Sequence, residues 1–469
     1  MTALGELTLV EAVEAIRSRQ VRSVELLEDC LAAVDAHGAR LNAIIWTDRE
    51  GARASAEAAD AAVAEGRPLG LLHGVPLAHK DMYYEAGRVS TCGSAIRRDW
   101  HPATTATVLE RLAAAGSYRF AGLHMAEFAH NPSGHNAHYG DCRNPWNADY
   151  ISGGSSSGSG VAVAARMTAG ALGSDTGGSV RLPAAACGVT GLKPTQTRIS
   201  RAGVMPLSFS TDNVGPLART ARDCARILRV IAGHDPRDPT SAREPVPDYE
   251  ATLTGDLRGL RVGVPTNGWF VPDTPVTDAV EQALEVLAMR GARLVRLALP
   301  YLPDCAAYAA IVIRAEAAAI HARWMQERPQ DYADHLNAKI YAGFAIPAPY
   351  YIEALRARGP LLRAFAAEVF AQVDVIAAPT IPTPLPTRAE TDVDAGPATA
   401  AMASEALSAN TRIFNYLGLP AVSLPCGFDA AGLPVSLQIA GRPFGEGRIL
   451  AAADAYQRDT DWHARRPPF

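Results

Sequence analysis

Short apolar runs alternate with helical patterns along most of this 469-residue chain, and this alternation limits the folds that it can adopt. A clear case lies between 260 and 299, where runs at 260–265 and 292–299 predict strands on either side of a helix at 276–289. Strands that are joined through helices pack into a sheet whose two faces the helices cover. We therefore predict an α/β fold built on such a sheet.

The same pattern extends over the rest of the chain, and no internal repeat is present. Further helices are predicted at 8–36, 50–65, 104–115, 161–168 and within 308–373, and further strands at 72–77, 118–121, 171–173, 189–192, 375–379 and 421–425. Because strands return after both aperiodic stretches, we predict one domain, 1–469. It has a helical N-terminal part at about 1–65 and surface excursions at about 233–247 and 379–397, rich in proline and aspartate.

Composition excludes several functional classes. The formal net charge of −5 gives no basic surface for nucleic acid, and no run of eighteen apolar residues predicts a membrane span. The first fourteen residues lack a secretory signal pattern. The seven cysteines are scattered without a Cys-x-x-Cys pair, which favours reduced thiols and a cytoplasmic location.

Three segments carry residues that could perform chemistry. The segment HGVPLAHKD contains Lys80, SGGSSSGSG contains Ser155, and GSDTGGSVR contains Ser179. A serine hydroxyl is a poor nucleophile that needs a base, and glycines beside it let backbone N–H groups converge on one oxyanion. Lys80 could be that base if burial lowers its pKa.

The residues alone leave other interpretations open. Stretches rich in glycine and serine are often flexible turns. A phosphate-binding loop of the Walker type needs a lysine that does not follow the glycines of 153–160, and a dinucleotide fingerprint needs a glycine at 163, which is valine. A lysine such as Lys80 is often a solvated surface charge, although here it follows an apolar run that contains a proline. A serine hydrolase is one interpretation among these.

Taken together, the three segments resemble the amidase signature family of serine hydrolases. The order and spacing of Lys80, Ser155 and Ser179 agree with that family. Other family-like stretches lie at 91–94, 125–128, 143–146, 211–216, 415–425 and 432–443. The resemblance covers most of the chain and implies the amidase signature fold, with a large mixed, twisted central β-sheet covered by helices on both faces.

The resemblance implies a Ser–cisSer–Lys triad. Ser179 is expected to attack an amide carbonyl, and Ser155 to pass its proton to Lys80. The peptide bond between Gly154 and Ser155 is expected to be cis.

Further residues follow from the same resemblance. The oxyanion hole is expected from the N–H groups of Thr176, Gly177, Gly178 and Ser179. Supporting roles fall to Ser156, which matches a second serine of the family, and to Asp175 and Arg181, which flank the nucleophile. Ser157 and Ser159 stand where family members often have glycine, and both are small enough to leave the triad in place.

The expected activity is hydrolysis of a C–N bond in a small-molecule amide, with an ester as an alternative substrate. No cofactor is expected, and homodimerisation is an expectation from the family only. One alternative is the A-type glutaminase subunit of a tRNA-dependent amidotransferase. The loop at 131–138 of this sequence differs from the loop that we expect in such a subunit, which favours a stand-alone hydrolase. Another alternative is a non-catalytic binding protein with the same fold. The presence of all three expected triad residues, Lys80, Ser155 and Ser179, argues against it.

Histidines 124, 130, 135 and 138 cluster beside Asp141 and Cys142, but their spacing matches no closed zinc site, so no metal is expected. This loop is instead expected to line the substrate pocket, with Met125, His130 and His138 as pocket residues. Cys187 is a rival nucleophile, but the glycine turn is centred on Ser179, so Cys187 is interpreted as a buried structural thiol.

Overall fold

A single sheet organises the protein. Within residues 4–468, which the computed structural model describes, eleven strands form this sheet. In chain order the strands are β1 (Ile44–Thr47), β2 (Pro76–Lys80), β3 (Tyr118–Leu123), β4 (Gly170–Asp175), β5 (Thr190–Lys193), β6 (Asn213–Ala218), β7 (Arg261–Pro265), β8 (Arg293–Leu297), β9 (Val375–Pro379), β10 (Ala421–Phe428) and β11 (Pro434–Gly441).

The sheet is mixed, with the strand order β1-β3-β2-β4-β6-β5-β10-β11-β9-β7-β8. Strand β2 runs parallel to β3 and β4, and β7 runs parallel to β8 and β9. The other neighbouring pairs are antiparallel. This topology confirms the predicted α/β fold with a large mixed sheet.

Fifteen helices surround the sheet within the described residues. In chain order they are α1 (Leu9–Arg17), α2 (Ser23–Leu41), α3 (Arg49–Ala64), α4 (Thr107–Ala114), α5 (Ser157–Ala164), α6 (Arg181–Cys187), α7 (Ala221–Ile231), α8 (Pro275–Met289), α9 (Leu302–Glu327), α10 (Asp334–Phe344), α11 (Ala348–Val369), α12 (Arg388–Thr391), α13 (Ala400–Ala406), α14 (Arg412–Tyr416) and α15 (Glu446–Gln457).

Strand β9 shows that both faces of the sheet are covered. Its residues Val375 and Ala377 pack in a hydrophobic cluster with residues of α8 and α15. The alternate residues, Ile376 and Ala378, pack in a different cluster with residues of α9, α11 and α14. Successive side chains of a strand point to opposite faces, so these two clusters lie on opposite sides of the sheet.

Several predicted bounds are wrong. The strand predicted at 72–77 begins at Pro76, because residues 71–74 form a turn in which Gly74 has φ +77°. The helix predicted at 8–36 is two helices, α1 and α2, separated at Arg19, which has a left-handed φ of 60°. The helix predicted at 161–168 is α5, which begins four positions earlier at Ser157.

Two longer predictions also need correction. The N-terminal part predicted to be helical contains a strand, β1, which pairs with β3 at the edge of the sheet. The excursion predicted at 379–397 contains the short helix α12, whose N-cap Thr387 accepts a hydrogen bond from the Glu390 N–H. One turn of helix is too short for its periodicity to be visible in the sequence.

Among the described helices, α9 is long and apolar enough by length and composition to cross a membrane, with a mean hydropathy of 1.3 over its most apolar window. Core helices of soluble proteins meet the same criterion, and α9 packs against α10, α11 and α14. In this structure α9 therefore packs as a helix of the folded domain.

Candidate active site

Lys80 lies at the end of β2 and is fully buried. Its Nζ atom lies 2.8 Å from the hydroxyl oxygen of Ser155, 3.1 Å from that of Ser156 and 2.9 Å from that of Ser174. An ammonium would donate to these hydroxyls, whereas a neutral amine has a lone pair that can accept a proton from one of them. Lys80 therefore has the contact that a general base toward Ser155 needs.

Burial lowers the pKa of Lys80 to about 7, because water no longer solvates its ammonium. The negative charges of Asp212 and Asp175 favour the ammonium and oppose this effect only in part. A pKa near 7 leaves much of the amine neutral at neutral pH. The electrostatics of the site thus suit proton acceptance by Lys80.

The loop that contains Ser155 meets the loop that contains Ser179 through the backbone. The Gly154–Ser155 peptide bond is cis, as the resemblance implies. Directly after it, the N–H of Ser156 donates to the carbonyl oxygen of Ser179 at 3.3 Å. Ser155 is fully buried, its hydroxyl contacts Lys80 Nζ, and the residue that follows it contacts the loop of the predicted nucleophile.

A buried ion pair fixes the turn that carries Ser179. Arg181 Nη2 lies 2.9 Å from Asp175 Oδ1, Nε lies 3.0 Å from Oδ2, and neither side chain is exposed. Burial would raise the pKa of Asp175, but the charge and hydrogen bonds of Arg181 lower it to about 2. Asp175 is therefore ionised at neutral pH, and the pair has the geometry of a structural support.

The same guanidinium joins the turn to the C-terminal part of the chain. Arg181 Nη1 donates to Gln438 Oε1 at 2.7 Å, and Nη2 donates to Asn415 Oδ1 at 2.7 Å. The side-chain amide of Asn415 in turn donates to Asp175 Oδ1 at 2.8 Å. Residues that are more than 200 positions apart in sequence thus hold the nucleophile turn in one network.

One of the four amides predicted for the oxyanion hole has another partner. The Gly178 N–H donates to Asp175 Oδ1 at 2.8 Å, so this donor already serves the turn itself. The amides of Thr176, Gly177 and Ser179 are the remaining candidates from the prediction. We therefore expect an oxyanion at this turn to be bound by donors among those three.

A pocket with a volume of about 110 Å³ opens at the nucleophile turn, and Thr176, Gly177 and Ser179 line one part of it. Ser179 is 8 % exposed, whereas Lys80 and Ser155 are fully buried and do not line the pocket. A substrate in this pocket can thus reach the predicted nucleophile but not the predicted base. The proton of Ser179 must then reach Lys80 through another group.

The three residues predicted to line the pocket have different positions. His130 lines it, next to Asn131 and Pro132. Met125 is fully buried and packs in the main hydrophobic core, where its apolar side chain avoids water. His138 Nε2 lies 2.9 Å from a carboxylate oxygen of Glu127, which accounts for its position outside the pocket lining.

The other histidines of this region also have structural partners. His124 is buried with Nε2 2.7 Å from the carbonyl oxygen of Gly140, and burial lowers its pKa to about 4. His135 Nδ1 lies 3.0 Å from Asp141. Within residues 4–468, no group of three or more His, Cys, Asp or Glu side chains is arranged to hold a metal ion.

Cys187 is fully buried, and its thiol donates to the carbonyl oxygen of Ser152 at 3.3 Å. Burial raises the pKa of this thiol well above its usual value. A thiolate is therefore disfavoured at this position, and the thiolate is the form that acts as a nucleophile. This environment supports the interpretation of Cys187 as a structural thiol.

Two buried side chains at the site are absent from the sequence predictions. Ser174 contacts Lys80, and Asp212 accepts a hydrogen bond from the Thr176 hydroxyl at 2.6 Å. Ser174 could have been found, because the carboxyl ends of neighbouring parallel strands meet at one edge of a sheet and Ser174 lies near the end of β4, beside β2. Asp212 lies in a family-like stretch but has no local signal of its own.

The mixed sheet and the buried cluster of one lysine with three serine hydroxyls define an α/β protein with a serine–lysine site. A family model described as Amidase matches residues 25–450, which is most of the chain. The chain belongs to this family, the amidase signature family, whose members act on C–N amide bonds.

Similar proteins cover the whole chain. The A-type subunit of the glutamyl-tRNA(Gln) amidotransferase of Roseiflexus sp. (strain RS-1) is 44 % identical over 492 aligned positions, which cover 100 % of this chain and 99 % of the relative.

Solved structures of similar proteins give the same coverage. One is described as "An unexpected vestigial protein complex reveals the evolutionary origins of an s-triazine catabolic enzyme". It is 32 % identical with a TM-score of 0.89, and the match covers 98 % of this chain and 100 % of that one. A 6-aminohexanoate cyclic dimer hydrolase complexed with substrate is 27 % identical with a TM-score of 0.88, and the match covers 99 % of both chains. Both solved structures have the fold of this chain.

Proposed function

We propose that this protein hydrolyses the C–N bond of a small amide through an acyl-enzyme on Ser179. The observation that carries this proposal is the buried contact of 2.8 Å between Lys80 Nζ and the Ser155 hydroxyl, together with a pocket that Ser179 lines. Neutral Lys80 takes the proton of Ser155 while Ser155 takes the proton of Ser179. The Ser179 oxygen then forms a bond to the amide carbonyl carbon.

The second half of the reaction uses the same groups in reverse. The tetrahedral intermediate, whose oxyanion is held by amides of the nucleophile turn, collapses as its C–N bond breaks. Lys80 returns the proton through Ser155 to the leaving nitrogen, and an acyl ester remains on Ser179. Water then attacks this ester and gives a proton through Ser155 to Lys80. The ester C–O bond breaks, the proton returns through Ser155 to the Ser179 oxygen, and the carboxylic acid is released. The pocket that Ser179 lines is the place for the acyl group.

A second candidate is the A-type glutaminase subunit of a tRNA-dependent amidotransferase. The name of the relative that is 44 % identical favours this candidate more directly than it favours a free-standing hydrolase. The first candidate is supported by the likeness to a hydrolase with a TM-score of 0.88. Both candidates use the same acyl-enzyme, and they differ in whether partner chains and tRNA are required.

The test is a panel of simple primary amides, matching esters and glutamine, assayed with the purified chain alone. We expect Ser179→Ala to lower kcat by at least roughly a thousandfold, since it removes the nucleophile. Ser55→Ala on α3, whose hydroxyl contacts only the carbonyl oxygen of Gly51, is the matched control and should retain full activity. Turnover that survives Ser179→Ala contradicts the proposal.

The same panel separates the two candidates. Turnover of simple amides by the chain alone supports the free-standing hydrolase. Turnover that is confined to glutamine and depends on added tRNA and partner proteins supports the amidotransferase component.

A further inference from the structure

Strand β2, which carries Lys80, is joined to β4 by a short backbone pairing. The paired residues end at His79 and Leu172, one position before Lys80. By contrast, β4 pairs with β6 along all six of its residues. The backbone ladder therefore ends before the level at which Lys80 contacts Ser174, and the seam between β2 and β4 needs other contacts there.

Two buried side chains close this seam. The Leu172 N–H donates to Nδ1 of His79 at 3.1 Å, and the Tyr83 hydroxyl donates to the carbonyl oxygen of Gly173 at 2.6 Å. The rings of His79 and Tyr83 meet edge to face. These two hydrogen bonds, which we call the latch, tie β2 and the residues that follow it to the backbone of β4.

The latch holds the two residues that precede Ser174. The hydroxyl oxygen of Ser174 in turn lies 2.9 Å from Lys80 Nζ, and β4 continues through Asp175 into the nucleophile turn. The latch thus fixes the spacing between the strand of the predicted base and the strand that leads to the predicted nucleophile. Such spacing matters, because a displacement of about 1 Å can lower a catalytic rate about a hundredfold.

Water can approach the seam from a second cavity, with a volume of about 300 Å³. Met82, Ser174 and Asp212 line this cavity, whereas Lys80 does not. Burial is the main cause of the lowered pKa of Lys80, so water that entered an opened seam would raise this pKa again. A closed seam therefore favours the neutral amine that can act as a base.

The latch keeps its protonation state over the range in which Lys80 titrates. Nδ1 of His79 can accept a hydrogen bond only while it carries no proton. Burial, assisted by the charge of Arg119, lowers the pKa of His79 well below its usual value. Burial also raises the pKa of the Tyr83 hydroxyl, so both latch bonds persist between pH 5 and 9.

The ionisable groups that act on Lys80 are Asp212, Asp175 and Cys92. Burial raises the pKa of Cys92 to about 11, so this thiol is uncharged at neutral pH. Among the described residues, none of the three is a hydrogen-bond partner of a latch side chain. A change in the latch therefore reaches Lys80 through its position and through water, and not through these groups.

We propose that His79 and Tyr83 are positioning residues that hold β2 against β4 and keep Lys80 shielded from water and in contact with its serine hydroxyls. Neither latch residue lines the pocket of Ser179, so neither contacts a substrate there. The inference rests on the proposed function, since both residues act through the base of that reaction.

The first test removes the hydroxyl of Tyr83. Tyr83→Phe should lower kcat for a simple primary amide by about ten- to a hundredfold and change KM less than about twofold, because the base is displaced and the pocket is intact. The acidic limb of kcat/KM should move to higher pH by about half a unit or more. Tyr84→Phe is the matched control and should change neither, because the Tyr84 hydroxyl contacts Arg97 and Met205 and not β4.

The second test exchanges the acceptor at His79. His79→Leu removes the acceptor of the Leu172 N–H and should have the same two effects as Tyr83→Phe. His79→Asn can place a side-chain oxygen near the position of Nδ1, so it should restore most of kcat and return the acidic limb toward its wild-type pH. A merely structural role would lower the amount of active protein without moving the limb, because the midpoint pH does not depend on that amount.

Two kinetic results overturn the inference. One is a Tyr83→Phe protein that keeps both the wild-type kcat and the wild-type acidic limb. The other is a loss of activity in Tyr83→Phe and His79→Leu with the acidic limb unmoved in both.

NMR of the lysine side chains tests the inference without turnover. The chain has three lysines, so a protein labelled with ¹³C at lysine Cε gives three signals, which Lys193→Met and Lys339→Met assign. The Lys80 signal should titrate at higher pH in Tyr83→Phe than in the wild-type protein. If it does so in a protein that cleaves no amide, the proposed function fails and the latch stands. An unchanged titration in a protein that cleaves amides overturns the latch alone.

Discussion

Lowering the pH should inactivate this protein by protonating Lys80. Burial sets the pKa of this amine at about 7, and only the neutral amine can accept the proton of Ser155. At pH 5, two units below that pKa, about 1 % of the amine is neutral, so kcat/KM should fall roughly a hundredfold below its plateau. The sign follows from the protonation state, because activity rises as pH rises through 7.

The assay is ammonia release from an uncharged primary amide, measured as kcat/KM between pH 5 and 9. A second buried lysine makes a control necessary, because burial also lowers the pKa of Lys193 to about 7. Lys193 Nζ donates to the carbonyl oxygen of Pro194 at 2.8 Å and to no serine of the site. Lys193→Met should therefore retain the acidic limb of the profile, whereas Lys80→Met should lose the activity altogether.

Two results would refute this reasoning. One is a profile that stays flat down to pH 5 in the wild-type protein. The other is an acidic limb that disappears in Lys193→Met while Lys80→Met remains active, which would assign the titration to the wrong lysine.

Two further predictions concern the nucleophile turn. Gly178 has φ +137°, and an added Cβ would lie 2.4 Å from the Thr411 hydroxyl oxygen, so Gly178→Ala should remove nearly all amidase activity. The Cβ of Gly177→Ala would meet only ordinary contacts at 3.8 Å or more, so this control substitution should retain the fold. Equal effects of the two substitutions in kinetics and thermal melting would contradict this account. Arg181→Met leaves the buried Asp175 carboxylate without its ion-pair partner and should lower the free energy of unfolding by about 3 to 5 kcal/mol in urea titrations; a loss below about 1 kcal/mol would show that the pair does not support the turn.

Local patterns were sufficient for part of the fold. The strands Arg261–Pro265 and Arg293–Leu297 and the helix between them were predictable because each has its own periodicity, and a strand–helix–strand unit gives parallel neighbours. The pairing of β5 with β10 was not predictable, since it joins Thr190–Lys193 to strand residues more than 200 positions later. The single domain, the homodimer and the cytoplasmic location remain predictions.

Part of the candidate site was likewise predictable from the sequence, and part was not. Lys80, Ser155 and Ser179 lie in distinctive motifs, and the structure brings these motifs together. Lys339 lies on a helix where a lysine is indistinguishable in sequence from a solvated surface charge, and only the packing of α9, α10, α13 and α14 turns it toward a pocket. His138 was predicted to line the pocket because it is close to His130 in sequence. Its side chain instead contacts Glu127, which the sequence could not reveal.

The central claim is that Ser179 carries the acyl group. Rapid quenching of the protein with an activated acetate ester, followed by proteolysis and mass spectrometry, measures this directly. The account predicts an acetyl group on the peptide that contains Ser179, and none on that peptide in the Ser179→Ala protein. Acetylation of Cys187 or Lys80 during turnover, with Ser179 unmodified, would contradict it.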